Sequence, residues 1–583
     1  MGDLLRIDLT TGTTREEVVP EERRRTLLGG KGIGTRMLLE EVGPEVDPLG
    51  AGNKLIFTTG PLSGTRMPGA NRYGVFFLSP LTGGYGEAYS GGHVAPQFAG
   101  TGYRVVVLEG AAPEPVVVEV REGGAFLHPA SDLWGTDTYQ AEEAIKARVG
   151  DSRAQACVIG PAGENLVRFA CIENNRWRSL GRGGAGAVMG SKNVKGVVFH
   201  GSRQTQVARP EAFGRCVRDM VAAGKDHPVV NAYKRMGTVQ MVRVTNGLNM
   251  FPTRYWTRGR LDDFEPISAE TMLATYHVRN TTCPPCFIAC GNLCRVPDDH
   301  PTLAGLEIEG PEFETIYVFG GICEVVDFAQ IMRLNDLCDR MGVDTMTAGN
   351  QCGLAIEAAR RGLIDLDLDF GDADGVAAFL EMMVRREGVG DVFADGVRRV
   401  EHEFPELRGV AVHCKGMEPA GYDPRVSKGM ALGYITAARG ACHLRATIMK
   451  AELSGVVPID AVEGKAAVYV DWEDRFAIMD TLIYCRFYRD LTTWPFLTAV
   501  VNAAVGTDYT EADLKAIGAA VITDSHVFNE RRGFGLAEER LPAWVTERPL
   551  VDQEGREQLT TAAQLERMLR EYYEVRGWDY PAG

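Results

Sequence analysis

The 583-residue sequence predicts an α+β protein: a β-rich first domain over residues 1–203, then two mainly helical domains over 204–415 and 416–583. Three observations predict it. Short β-branched or aromatic runs bounded by Gly, Pro, Asn or Asp crowd the first two hundred residues. From Pro210 onward the apolar residues recur at helical spacing instead. Turn-forming residues punctuate 201–207 and a Gly/Pro-rich stretch follows Lys415, and the domain boundaries are placed there.

Taken in order, strands are expected over 4–9, 54–59, 73–78, 103–108, 115–120 and 195–200, each a run of Val, Ile, Leu, Phe or Tyr closed by turn residues. Helices are expected over 210–223, 327–341, 345–361 and 374–386. The third runs into Arg360-Arg361-Gly362, basic residues and then glycine, as a helix C-terminus favours. No repeat of solenoid period and no low-complexity segment interrupts this order.

The balance of 62 Lys+Arg against 78 Asp+Glu leaves a net charge of −16. An acidic chain is a poor match for nucleic acid, whose phosphates need a basic face. No apolar run reaches the ~18 residues that cross a bilayer, so no membrane insertion is expected. Asp3, Arg6 and Asp8 stand where a signal peptide needs its apolar stretch, and a cytoplasmic protein is expected. Glycine is abundant at 68 residues, so many turns, or backbone lying close to a flat or anionic partner, are expected.

Thirteen cysteines are too few and too scattered for a disulfide scaffold. Cys157, Cys171, Cys216, Cys323, Cys338 and Cys352 sit alone in apolar segments, as small buried hydrophobes do. The exception is Cys283, Cys286, Cys290 and Cys294, four thiols within twelve residues. The C-x2-C-x3-C spacing of the first three suits an iron–sulfur cluster or zinc. Structural zinc more often pairs two C-x2-C units or adds histidines, and no second unit exists here. Spacing alone leaves the fourth ligand open between Cys294 and a distant thiol.

Two glycine motifs mislead. Residues 181–186 fit G-x-G-x-x-G, but the polar 173–179 stands where a dinucleotide fold needs a buried strand. Residues 184–192 approach a P-loop, but Gly190-Ser191-Lys192 replaces Gly-Lys-Ser/Thr. What remains is physical: backbone N–H groups beside Arg182 can cradle an anion, and the glycine-rich 79–93, after the strand that follows Arg72, offers a second such loop.

Several stretches then match one family in order. They are Asn71-Arg72-Tyr73, Ser79-Pro-Leu-Thr-Gly, Ser90-Gly-Gly, and Gly186-Ala-Val-Met-Gly-Ser-Lys-Asn-Val-Lys195. There follow Gly310-Pro-Glu-Phe-Glu314-Thr, Lys415-Gly-Met-Glu-Pro-Ala-Gly-Tyr-Asp-Pro-Arg425, Arg439-Gly-Ala-Cys-His443-Leu-Arg445 and the tail 571–579. On these the sequence resembles, nearly end to end, the tungsten-dependent aldehyde:ferredoxin oxidoreductases. The resemblance implies a tungsten bis-pterin cofactor (molybdenum is the alternative metal) held between the domains, a [4Fe–4S] cluster and a magnesium ion.

Residue by residue, it implies that Cys283, Cys286, Cys290 and Cys485 hold the cluster, leaving Cys294 a bystander. Two pterin-reading segments are implied, Asp-x-x-Gly-Leu-Asp and Asp-x-x-Gly-Leu-Cys. The first is matched by Asp339, Gly342 and Asp344 with Val343 for Leu; the second runs from Asp480 to Cys485 with Ile483-Tyr484 for Gly-Leu. That change puts the local backbone geometry in question. A carboxylate suits pterin because its two oxygens accept adjacent ring N–H groups. Arg72 is implied between pterin and cluster, with Gly91 at the cofactor and Arg182 and Arg445 on its phosphates. The main-chain carbonyls of Tyr89, where the family often has Asn, and Gly183 are implied as magnesium ligands, which suits an oxygen-seeking cation. Glu314, in a turn where burial would raise its pKa, is implied as the group that takes a proton from water, and His443 as a hydrogen-bond donor to the reacting oxygen.

The activity implied is oxidation of an aldehyde to a carboxylic acid, with electrons leaving through the cluster to ferredoxin or a separate iron–sulfur subunit. Some relatives reduce aromatic thioesters with a cysteine at the metal; Cys323 is the position to watch for that benzoyl-CoA-type alternative. A non-catalytic iron–sulfur subunit is the third reading, and homo- or hetero-oligomers are compatible with all three.

Overall fold

The computed structural model describes residues 2–581. Two six-stranded sheets build the first part. In one, β1 (Leu4–Asp8), β2 (Thr13–Glu17), β3 (Leu55–Thr58), β4 (Tyr73–Leu78), β5 (Tyr85–Ser90) and β6 (Val105–Glu109) lie in the order β2-β1-β6-β3-β4-β5. In the other, β7 (Val116–Arg121), β8 (Gly124–Pro129), β9 (Gln155–Val158), β10 (Ile172–Asn174), β11 (Arg178–Leu180) and β12 (Val194–Phe199) lie in the order β11-β10-β9-β12-β7-β8. Each sheet has a single parallel pair, β1 with β6 and β7 with β12, and its other neighbours are antiparallel.

Successive side chains of a strand point to opposite faces, and here both faces are covered. Tyr73, Val75 and Phe77 of β4 share one core with Val118, Ile172, Val197 and Phe199 of the second sheet. Phe76 and Leu78 turn the other way, onto Ile33 and Met37 of α1 (Gly30–Glu41). Val117, Val158 and Val198 pack on a separate cluster with Ala141 and Ile145. This double burial is why the six expected strands are continuous apolar runs, and all six are present.

The first part also holds helices that the strand pattern does not foretell, including α1 and α2 (Ala185–Ser191). Residues 85–90, expected as part of a glycine-rich loop, form β5. Residues 178–180, read as too polar for a strand, form β11, which runs through the Gly181–Gly184 turn into α2. The local form is strand–turn–helix, yet β11 is a three-residue edge strand of an antiparallel hairpin, not the buried parallel strand a dinucleotide fold requires.

Beyond Pro210 the chain is mainly helical. The elements used below are α3 (Pro210–Lys225), α4 (Pro228–Met236), α5 (Phe313–Ile316), α6 (Phe328–Met341), α7 (Thr345–Arg360), α8 (Lys465–Thr481) and α9 (Glu511–Arg531). The expected helices 210–223, 327–341, 345–361 and 374–386 correspond to α3, α6, α7 and Ala373–Arg385. Asp327 and Asp344 cap α6 and α7 by accepting from backbone N–H groups of the first turn. A three-stranded sheet, β13 (His277–Thr281), β14 (Gly291–Arg295) and β15 (Glu307–Glu309), interrupts the helices and carries the cysteine loop between β13 and β14. No helix among the described residues is long and apolar enough to cross a membrane.

The glycines of α2 serve close packing. A Cβ on Gly186 would stand 2.2 Å from the Cys171 carbonyl oxygen, and one on Gly190 would stand 2.0 Å from that of Gly163. Neither backbone oxygen can swing aside. Gly186→Ala is therefore expected to lower unfolding free energy by about 1–3 kcal/mol through overpacking, read as a lower urea midpoint at unchanged slope.

Candidate active site and cysteine cavity

A cavity of about 830 Å³ opens where the sheets meet the helices. Arg72 and Tyr89 reach it from β4 and β5, Gly181 and Arg182 from the turn before α2, Glu312, Phe313 and Glu314 from α5 and its cap. The loop His443–Arg445 and the stretch after α8, from Asp480 to Arg489, complete the wall. Seven Arg and Lys side chains line it against three carboxylates, Glu312, Glu314 and Asp480. Buried like charges repel strongly in a low dielectric, so this excess favours an anionic occupant.

The cations are held in place from behind. Arg182, 6 % exposed, donates to the carbonyls of Ala441 (3.1 Å) and Glu418 (2.8 Å) and through Nε to Asp344 (3.3 Å). Arg445 is paired with Glu87 and with Asp480 Oδ2 at 2.9 Å, and Arg486 reaches the same Oδ2 at 2.6 Å. Burial alone would raise the Glu87 carboxyl, but Arg445, Lys31 and Arg439 overcome it and hold the group well below the usual carboxylate range. The Nε atoms of Arg439, Arg445, Arg486 and Arg489 are buried with no partner. Such orphaned donors around one cavity fit a phosphate-bearing ligand.

The two Asp segments terminate helices in the same way. At the end of α6 the Gly342 N–H donates to Asp339 O (3.2 Å) and Val343 N–H to Cys338 O (3.0 Å). At the end of α8 the Ile483 N–H donates to Asp480 O (3.2 Å) and Tyr484 N–H to Met479 O (2.7 Å). Both turns therefore carry the pair of bonds that close a helix through a left-handed residue. Gly342 has φ 71°, and Ile483, where the motif has glycine, has φ 56°. The substitution keeps the backbone shape with a β-branched residue in a costly conformation. Asp480 lines the cavity; Asp339, Gly342, Asp344 and Gly183 stand behind its wall. Asp339 accepts from Asn335 (2.7 Å), and burial, with Asp336 nearby, holds its carboxyl well above the usual range.

A second cavity of about 330 Å³ is lined by Cys283, Cys286, Cys290 and Cys485, with Gly91 and Arg72. The chain distance from Cys290 to Cys485 is closed by backbone: Cys485 N–H donates to Gly69 O (2.7 Å) and Gly69 N–H to Pro285 O (3.3 Å). A Cβ on Gly91 would stand 3.0 Å from Cys283 Sγ, and Gly92 N–H donates to that sulfur at 3.2 Å. Burial raises the thiols of Cys286 and Cys290, a preference that ligation to a metal reverses. Among the described residues no three His, Cys, Asp or Glu side chains converge tightly enough for a single ion. Four thiols ringing a cavity match a polynuclear cluster better than one tetrahedral zinc. Cys294, by contrast, is wholly buried on β14. The two cavities share Arg72, Ser179, Glu312, Cys485 and Phe487. Arg72 spans them, donating to Tyr89 O at 3.0 Å and pointing Nη1 at Cys485 Sγ 3.8 Å away. The carbonyl of Tyr89 is thus bonded to Arg72, and that of Gly183 accepts from Ser79 at 2.7 Å; each keeps a second lone pair.

Glu314 and His443 meet across the larger cavity, Oε1 to Nε2 at 3.4 Å. Glu314 Oε2 accepts from Gly421 N–H at 3.0 Å. Burial, only partly opposed by that bond and Arg182, pushes the Glu314 carboxyl up to about 8. Burial and then Arg439, Arg182, Arg445 and Arg489 hold His443 well below its ordinary value. At neutral pH the pair is uncharged, the proton resting on Glu314, and His443 Nδ1 is buried without a partner.

Some contributors escaped the sequence. Cys442 accepts from Arg439 (3.0 Å) and Leu444 N–H (3.4 Å); burial would raise its thiol, but Arg439, Arg445 and Arg182 bring it to about 7. Its place between Arg439 and Arg445 was the available signal. Tyr422 stacks obliquely on His443 with centroids 5.7 Å apart. Cys323 lies in the helical core, bonded to Gly349 O at 3.4 Å, and is among the lining residues of neither cavity.

This two-chambered arrangement, a cation-lined cavity sharing a wall with a thiol-lined one, defines a redox protein built for a large anionic cofactor and a cluster. The family model for the aldehyde ferredoxin oxidoreductase N-terminal domain matches residues 4–201, and that for domains 2 and 3 matches 215–583. The chain is 34% identical to the tungsten-containing aldehyde ferredoxin oxidoreductase of Pyrococcus abyssi and 35% identical to that of Pyrococcus furiosus, covering 99% of this chain and 96% of each relative. A solved structure, the active-site complex of a benzoyl coenzyme A reductase with 1,5-dienoyl-CoA, superposes with a TM-score of 0.84 over 99% of this chain and 94% of that one; at 23% identity the likeness is one of fold. The chain belongs to the aldehyde ferredoxin oxidoreductase family, and it is an oxidoreductase.

The proton on Glu314 is open to direct observation. The infrared band of a protonated buried carboxyl is expected at pH 6, absent from Glu314→Gln, and lost as the pH passes through about 8. A band lost below pH 6 would mean that burial does not govern this group.

Proposed function

We propose that this enzyme oxidises aldehydes to carboxylic acids at a tungsten (or molybdenum) bis-pterin, passing electrons through a [4Fe–4S] cluster to ferredoxin or an iron–sulfur partner subunit. The observation that carries the reading is the Glu314–His443 pair, facing a cation-lined cavity that shares Arg72 and Cys485 with the thiol cavity. When bound, the metal bis-pterin supplies a two-electron acceptor and the cluster a one-electron relay. Arg182 and Arg445 would hold cofactor phosphates, Asp480 and, at the rear, Asp339 and Asp344 would orient the pterins, and the carbonyls of Tyr89 and Gly183 would offer their free lone pairs to magnesium. Cys283, Cys286, Cys290 and Cys485 would hold the cluster. All thirteen cysteines are free thiols, as a reducing cytoplasm requires.

The reaction balances as aldehyde plus water giving carboxylate, three protons and two electrons. The chain's own part is proton handling and orientation. His443 donates from its one N–H to the carbonyl oxygen of the aldehyde, which polarises it. Glu314, once ionised, takes a proton from the water that attacks. Because burial keeps Glu314 protonated up to about pH 8, turnover should rise with pH through that value.

In protein loaded with tungsten and iron, Glu314→Gln is expected to lower kcat by about 10²–10⁴ and abolish the pH rise, with metal content unchanged. Retention of the wild-type rate and profile would remove Glu314 from the proton path. Cys485→Ala is expected to lower iron per chain while Cys294→Ala leaves it unchanged; the opposite pattern would reassign the fourth ligand.

A further inference from the structure

We infer that the surface around the cysteine loop is a docking face for an acidic one-electron carrier protein, held by a rim of unpaired basic side chains. The inference rests on the aldehyde-oxidising reading above, because such an enzyme must release its two electrons singly to a carrier that reaches the cluster.

The loop 282–290 lies at the surface: Thr282 and Pro285 are exposed and Cys283, Cys286 and Cys290 are half-buried. Three segments brace it. Phe287 packs on α3, its ring 2.3 Å from where a Cβ on Gly224 would stand. Asn280 bonds both Lys234 O, at the end of α4, and Ala289 O (2.9 Å). Asn71 donates to Pro284 O at 2.9 Å from the segment that precedes β4.

Those same segments carry the charge. Arg66 stands ahead of Asn71; Arg215, Arg218 and Lys225 lie on α3; Lys234 and Arg235 lie on α4. Arg279, on β13 just before the loop, adds a seventh exposed cation. Among the described residues none of the seven makes an ion pair, whereas exposed arginines elsewhere commonly do, as Arg243 does with Glu265 and Glu270 and Arg570 does with Glu566. Arg66 and Arg218 even crowd together, with guanidinium nitrogens 3.2 and 3.6 Å from the Cβ position of Gly214. Only Glu211, Asp219 and Asp226 oppose them within α3 and the turn to α4. A net positive rim on a chain of net charge −16 has no folding role, since unneutralised like charges destabilise. It does what a steering surface does: it raises the encounter rate of an acidic partner and orients it at the buried redox group.

The test uses holoenzyme of measured tungsten and iron content and an acidic bacterial ferredoxin as probe. Ferredoxin binding is measured by calorimetry at about 0.01 M and about 0.15 M salt, between which the screening length falls from ~30 to ~8 Å. The wild type is compared with Arg215→Glu/Arg218→Glu, with Lys234→Glu/Arg235→Glu, and with Arg567→Glu on the last helix as a charge control. Both double reversals are expected to weaken binding at least tenfold at low salt, with a shallower salt dependence. The control should not, and aldehyde oxidation coupled to a small viologen dye should be unchanged in all. Equal ferredoxin affinity across the set, or a loss no greater than the control's, would overturn the docking face. Absence of dye-coupled aldehyde oxidation in the wild type, with rim-dependent binding intact, would overturn the proposed reaction and leave the docking face standing.

Discussion

Arg445 sits between Glu87 and Asp480, and this buried bridge ties the parts of the molecule together. Glu87 is on β5, Arg445 follows the catalytic loop, and Asp480 closes α8. Lys31 on α1 reaches Glu87 at 3.1 Å and Arg486 shares Asp480, so one network spans the sheet, its covering helix and the C-terminal helices. Every member is buried. Desolvating so many charges is costly, and removing one partner of such a pair costs about 3–5 kcal/mol because the other is left uncompensated. The network is also unbalanced, with more guanidiniums than carboxylates facing the cavity. The imbalance marks the side from which an anionic cofactor completes it, so cofactor loading and docking of the parts draw on the same charges.

The same electrostatics sets the catalytic pair. Arg182, Arg439, Arg445 and Arg489 drive His443 toward its neutral form, while burial, against Arg182, keeps Glu314 protonated. Without the cations a His–Glu contact at 3.4 Å would tend toward an ion pair. With them it is a neutral pair that holds one movable proton, which a site that takes protons from water can use. Cys442, three residues after Arg439, feels the same field and is pulled toward the thiolate.

How much of this was legible in the sequence depended on the reach of the interaction. Strands buried on both faces showed as apolar runs, and long amphipathic helices such as α3 and α6 showed by period. β2 escaped because Thr13–Glu17 is wholly polar on an exposed edge, and β5 because its glycines resemble a loop. α1 escaped because Gly30, Gly32 and Gly34 argue against a helix, yet each is needed: a Cβ on Gly34 would stand 2.1 Å from the Phe76 ring. Residue types at the site were readable, but their meeting was not. Glu314 and His443 are distant in sequence, and chain proximity favoured Cys294, whose side chain β14 turns into the core, over Cys485, which the helix end of α8 delivers. Resemblance, not spacing, pointed to that thiol.

The two helix ends gain their meaning from the sheets. Strands β1–β6 and β7–β12 repeat one another in order and sense, so β3 corresponds to β9. Two residues beyond each stands a Gly-Pro pair, Gly60-Pro61 and Gly160-Pro161. A Cβ on Gly60 would lie 2.4 Å from Leu482 O, just past α8, and one on Gly160 would lie 2.5 Å from Met341 O, at the end of α6. Each half of the first part therefore presses bare backbone against the terminus of one helix, the terminus that carries an Asp. That explains how Ile483 survives where Gly342 has its counterpart. The close approach is secured from the sheet side by Gly60 and by Gly30, whose own Cβ would meet Asp480 O at 2.4 Å and Ile483 Cδ1 at 2.7 Å. With glycine on one side of the contact, the other can carry a side chain, and the left-handed strain at Ile483 is offset by its burial in the space Gly30 leaves. Two-fold repetition in the sheets thus imposes two-fold placement of Asp339 and Asp480, while the cavity between them is asymmetric: one end runs on to a capping carboxylate, Asp344, and the other to a cluster thiol, Cys485.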